Sequence, residues 1–519
     1  LNDVTIHGDL HTTTHAGGVS QAAGTHLDIG GASRFTAATQ TTPQNAVISN
    51  AANRLVGTVT LDETAPGSWA DVSLATTTAL TLAPLQSGGA VTLDAQGAVT
   101  TQDTLSASGN LSINSHGGPV TLGVAIVSGD MSISSGGGAV SQSTATGQLY
   151  VRGNTSVDAG AGQITLLSPS NVFGITPASQ PNAPPPVSPT LSLIGTNTQV
   201  ATSSDLNLAQ VNNSGTMTLS APNGAINLGL AFITGGDLTL VSQNDLQLGS
   251  ARIAGDLTMT STAGAVSFGQ ATVTGDLMAS TNGQPVDLGA AVVGHNLNVQ
   301  TNGGNVVQTT VANAALHVAG ISNINAGTGN VTLPNVPNQF GGVVSLQAND
   351  VDLVASSNLV LGASTIAGTM DVTSVTGSIT QNAPVTVLGA SSFTAHNDVV
   401  LDKANTFTQA VAVDAVNVSL AAASALKLDT STVTGDFTVA TALGDITQTG
   451  PIAVTGKSTI TTTAGSVVLT DAANRFTGLV DAQTSANLSL TSTGPLTMGK
   501  VTAQGNADLK SAGVLNLGE

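Results

Sequence analysis

Four consecutive stretches of the chain repeat one order of apolar and polar positions every 20 residues: AFITGGDLTLVSQNDLQLGS (231–250), ARIAGDLTMTSTAGAVSFGQ (251–270), ATVTGDLMASTNGQPVDLGA (271–290) and AVVGHNLNVQTNGGNVVQTT (291–310). Apolar side chains recur in register at Ile233, Ile253, Val273 and Val293, at Leu238, Leu257, Leu277 and Leu297, and at Leu246, Val266, Val286 and Val306. Within a unit the period is two, as where Leu277 and Ala279 alternate with Met278 and Ser280. That alternation predicts short β-strands with one buried face. Gly-Asp and Asn-Gly pairs between the runs are turn chemistry. A slip of one residue, at Gly235-Gly236, falls in a turn and leaves the strand positions in register. Three short strands and three corners per unit cannot enclose a core alone. Stacked, each unit covers its neighbour's apolar face, which predicts an all-β parallel solenoid of about 20–23 residues per coil and roughly 24–26 coils.

The same unit recurs in 125–142, 364–381 and 431–448. At five places its last inward Leu is replaced by Gln: Gln21, Gln142, Gln308, Gln381 and Gln448. Each is followed by an Asn-x-Phe or Asn-x-Leu element: Asn53–Leu55, Asn171–Phe173, Asn338–Phe340, Asn405–Phe407 and Asn474–Phe476. An unpaired inward amide costs about 1–3 kcal/mol, so the Gln side chains are expected to bond to backbone groups at a corner where the coil changes shape. Phe173, Phe340, Phe407 and Phe476 are expected to fill a wider interior there, with Asn supplying a turn; an exposed binding epitope is the competing reading. Seven prolines in 168–190 interrupt the pattern, since proline donates nothing to a ladder. The expected organisation is therefore coils over 1–167, a loop excursion over 168–190, and coils over 191–519 continuous with the first part.

At the level of the unit GDLTLxSxxGxVxLGxAxVxGDL, best matched at Gly255-Asp256-Leu257 and Gly275-Asp276-Leu277, the chain resembles the repeats of filamentous-haemagglutinin-like exoproteins, large bacterial surface proteins. The resemblance covers nearly the whole chain outside 168–190. It implies a single elongated right-handed parallel β-helix serving as a stalk or adhesive shaft, on a bacterial surface or outside the cell.

Composition narrows the chemistry. Charged residues are 8% and aromatics 2% of the 519, cysteine is absent, and the formal net charge is −19. Only Glu63 and Glu519 are Glu among 29 acidic residues, and Asp favours turns where Glu favours helices. No basic residue lies between Arg252 and Lys403, which excludes nucleic acid as a partner because phosphates require clustered cations. No apolar run reaches the roughly 18–20 residues of a membrane-spanning helix. The chain starts at Leu1 without a leader, so it is expected to be a processed product or an excised piece.

A catalytic or metal site finds little support. Asp237, Asp256 and Asp276 share one corner of successive units, with Asn296 after them. They read as solvated turn residues, with weak calcium ligation the alternative, because oxygen ligands suit calcium. His7, His11 and His15 recur every four residues, but on a strand that spacing spans about 13 Å, too far for one metal. No nucleophile accompanies the scattered histidines, and no cofactor is expected. The favoured expectation is a non-enzymatic extracellular rod: a stalk, an adhesin shaft, or a building block of a filament, biofilm or sheath. It would self-associate end to end or laterally, or continue a longer parent chain, and could meet a cell-surface or polysaccharide ligand. The rival expectations are a receptor-binding adhesin contacting its partner through 168–190 or the loops around Trp69, and a secreted polysaccharide-active β-helix enzyme.

Overall fold

A strand with alternate apolar side chains needs cover on one face only, and a parallel coil supplies it: residues of one turn stack over the same positions of the next. The computed structural model describes all residues except 39–41, 64–68, 144–146, 175–189, 310–313 and 519. Its described residues form short β-strands and no helix, which pair in parallel as stacked turns of the right-handed β-solenoid type, about 24 turns in all. Two units are distinguished, Leu1–Gly264 and Ala265–Glu519.

In the first unit, Val91–Ala95 pairs with Leu111–Asn114, then Met131–Ser134, Thr155–Asp158 and Leu191–Gly195 in order. Each strand pairs with one turn before and one turn after, so the ladder is an open stack. The inward residues form columns, such as Leu93, Ile113, Ile133, Val157 and Leu193, all at most 1% exposed. Here a turn has three faces, seen in Leu80–Leu82, Leu85–Ser87 and Val91–Ala95.

Further along the same unit, three strands per turn become two. Leu206–Asn213, Ile226–Ile233 and Leu246–Ile253 each run eight residues, alternating with Met217–Ala221, Leu238–Ser242 and Leu257–Ser261. The expected third corner of the 20-residue array is in this stretch a bend inside the eight-residue strand rather than a break between two strands. Two successive outward residues, Gly229 and Leu230 in one strand, change the side-chain parity; Gly229 drops out of the pairing while the register on either side is kept, so the bend is absorbed inside one strand.

The second unit has the same columns, for example Leu277, Leu297, Ser322 and Val344. Leu277 and Leu297 are fully buried, as is Leu257 in the first unit. At some corners turns stack so closely that only glycine fits. The Gly57 N–H donates to the Gly31 carbonyl at 3.1 Å, and a Cβ on Gly57 would lie 2.6 Å from Gly31 backbone atoms. The largest fully buried side chains are Trp69, Phe35, Phe393, Phe437 and Phe476. No helix among the described residues is long and apolar enough to cross a membrane.

Candidate functional site

The five Gln and the five Asn meet. In each case the Gln Nε2 donates to the Asn Oδ1 and the Asn Nδ2 donates back to the Gln Oε1: 2.6 and 2.9 Å for Gln21–Asn53, 2.8 and 2.9 Å for Gln142–Asn171, and 2.9 and 2.8 Å for Gln308–Asn338. Both bonds are 2.8 Å in Gln381–Asn405 and in Gln448–Asn474. The partners stand 24–32 residues apart in the chain and are brought together because coil stacks on coil.

Every Asn is fully buried; the N–H of Asn53, Asn171, Asn338 and Asn474 each closes a turn onto the carbonyl three residues back, at 3.1–3.2 Å, whereas Asn405 lies within the strand Val399–Phe407. The remaining capacity of each Asn side chain goes to the backbone. Oδ1 accepts the N–H of Leu27, Leu149, Leu316, Val385 or Ile452, and Nδ2 donates to the carbonyl of Ile48, Leu166, Leu333, Leu401 or Leu469. The expected Gln-to-backbone bonds are present beside the clasp, as from Gln142 to Gly147 at 3.0 Å and from Gln448 to Gly450 at 2.7 Å. Gln142, Gln308 and Gln381 are buried, whereas Gln21 and Gln448 are half-buried. Phe173, Phe340, Phe407 and Phe476 point inward at 6% exposure or less, and Phe407 meets Phe393 edge-to-face at 6.1 Å.

A third member of the group carries a weaker signal. Ser33, Thr155, Ser322, Ser391 and Ser458, one in the coil after each clasp Gln, are buried hydroxyls without a hydrogen-bond partner among the described residues. Each stands in a column between larger apolar residues; Ser391, for instance, lies between Met370 and Val411. Their recurrence after each Gln was legible in the chain, but their burial was not.

The acidic corner has a structural use. A corner removes one backbone N–H from the strand ladder, and the Asp or Asn of the preceding coil accepts it. In the first unit Asp237 Oδ1 accepts the Asp256 N–H at 2.9 Å. In the second, Asp276 Oδ1 accepts the Asn296 N–H at 2.8 Å and its Nδ2 at 3.0 Å. A run of Asp398, Asn417 and Asp436 hands on the same bond, ending at the Lys457 N–H, and the intervening Asn separates two like charges.

No group of three or more His, Asp or Glu able to hold a metal occurs among the described residues. His7, His11 and His15 are exposed. His116 pairs with Asp94 at 2.6 Å on the surface. Two carboxyls depart from their ordinary behaviour. Burial, followed by the Asp371 carboxylate opposite it on the next coil, raises Asp352. Hydrogen bonds from the Lys457 side chain and the Lys500 N–H lower Asp481. Trp69 is interior, its indole N–H donating to the Asp62 carbonyl at 3.1 Å, so its ring is not available as a contact. The proline-rich excursion proposed at 168–190 falls largely on 175–189, outside the described residues.

Stacked parallel turns, continuous inward columns and side-chain clasps between turns define a β-solenoid repeat protein. The family described as repeats of unknown function (DUF5649) matches residues 1–62, 70–125, 115–177, 235–281, 274–347, 348–414 and 415–483, and the chain belongs to that family. No curated protein and no solved structure matches it.

Proposed function

We propose that this chain is a length of non-enzymatic shaft from a large extracellular bacterial surface protein of the filamentous-haemagglutinin kind. The observation that carries this reading is where the recurring polar side chains go. The five Gln–Asn clasps and the corner Asp and Asn residues are spent on holding one coil to the next. A side-chain set used in this way resists separation of coils, which a shaft needs. The outward strand positions are mostly Ser, Thr, Asn and Gln, suited to lateral contact with neighbouring shafts or with cell-surface material.

Immunogold labelling of intact cells of the producing bacterium tests the proposal, together with negative-stain images of the purified chain. The expected result is label on the outer surface and rod-shaped particles. Label confined to the cytoplasm, or turnover of a polysaccharide abolished by a single Asp substitution, overturns it.

A further inference from the structure

The second unit carries a feature that holding coils together does not explain. Leu297–Gln300, Ser322–Asn325 and Val343–Ala348 stack in register, so their outward residues form two columns: Asn298, Asn323 and Ser345, and Gln300, Asn325 and Gln347. This face is creased. Val343 and Val344 pair with Leu359–Leu361, whereas Gln347 and Ala348 pair with Ser364–Ile366. The chain therefore bends at Gly362-Ala363, and a Cβ on Gly362 would stand 2.2 Å from Ser345 Oγ. The crease makes an open depression of about 440 Å³ floored by these amides and by Thr365 and Thr386.

We propose that this depression binds a neutral, extended polysaccharide. The lining contains no charged side chain. It therefore offers no cation to a polyanion, which the net charge of −19 also repels, and no carboxylate to a polycation. An added peptide strand has nothing to pair with, because the strands beneath are already bonded along both edges. What the lining does offer is amide groups. Asn325 Oδ1 accepts the Gly327 N–H and Gln300 Nε2 donates to Asn302, but Asn298, Asn323 and Gln347 make no side-chain hydrogen bond among the described residues. Each of those three presents a donor and an acceptor together, which matches sugar hydroxyls, themselves both donor and acceptor. The columns advance about 4.8 Å per coil, close to the advance per sugar of an extended β-linked glycan, so successive amides meet successive sugars. With no aromatic platform each sugar is held weakly, and a polymer gains by multivalency. This inference goes beyond the shaft reading and has a separate readout.

The test is native affinity electrophoresis of the full chain through gels containing mixed-linkage β-glucan, xylan or dextran sulfate. Retardation by β-glucan or xylan but not by dextran sulfate is expected. Asn323→Ala with Gln347→Ala should weaken the apparent affinity about tenfold, and Asn323→Asp, which keeps the side-chain size, should weaken it in the same direction. Asn227→Ala, on an exposed position of the first unit, should leave it unchanged. Unaltered mobility in both neutral glycans, equal retardation of wild type and double variant, or retardation by dextran sulfate alone overturns the proposal. Failure here leaves the surface-labelling result untouched.

Discussion

Asn405→Ala asks how much a clasp contributes. The Asn405 side chain is fully buried and makes five hydrogen bonds across three consecutive coils. Oδ1 accepts from Gln381 Nε2 and from the Val385 N–H, both at 2.8 Å. Nδ2 donates to Gln381 Oε1 at 2.8 Å, to the Leu401 carbonyl at 3.0 Å and to the Ala421 carbonyl at 3.1 Å. Truncation strands at least two groups, the Val385 N–H and Gln381 Oε1, while Gln381 Nε2 retains the Ala383 carbonyl at 2.6 Å. At about 1–3 kcal/mol for each stranded buried group, the loss is roughly 2–6 kcal/mol. Repeat arrays can open locally, so a global melting curve is the wrong measure. Hydrogen exchange followed by mass spectrometry reads the opening free energy of peptides covering 379–407 directly. Gln381→Ala should reduce protection in the same peptides. The double variant should cost less than the two singles together by about 0.5–3 kcal/mol, because the reciprocal bonds are shared. Unchanged protection in Asn405→Ala, or strict additivity in the double variant, would refute the clasp as an energetic unit.

Two further perturbations probe the interior and the surface. Leu277→Asp puts an unpaired carboxylate at a fully buried position and should cost at least several kcal/mol, read as lost exchange protection in Leu277–Ser280 and Leu297–Gln300; Met278→Asp, one residue on and 44% exposed, should be close to neutral, and comparable losses from both would contradict the assigned faces. Burial and the neighbouring Asp371 raise the Asp352 carboxyl above its ordinary value of 3.8, so the folded state holds this proton more readily than the unfolded one. The resulting penalty is absent at pH below the ordinary value and complete above the raised one. Asp352→Asn should therefore raise the local opening free energy read by hydrogen exchange in Val351–Ala355 at pH 7 and leave it unchanged at pH 3; an equal gain at both would show that the gain is not electrostatic.

The alternation of Leu277 and Ala279 with Met278 and Ser280, and its return every 20 residues, were sufficient to determine parallel stacked strands and the inward places of Leu257, Leu277 and Leu297. Side-chain direction on a strand has period two and is set locally, so it can be read from neighbours in the chain. The inward direction of the Phe side chains and the unusual standing of the five Gln were legible for the same reason. Which Asn each Gln would meet was not. That depends on how many residues each intervening turn consumes, and the turn can hold three strands, as at 80–95, or two, as at 206–221. Only stacking decides that Asn405 lies over Gln381, that a corner Asp accepts the next coil's N–H, that Trp69 is enclosed, and that a face creases at Gly362. These are contacts between residues about a full turn or more apart, and their geometry comes from the path of the backbone around the corners rather than from any local pattern of side chains.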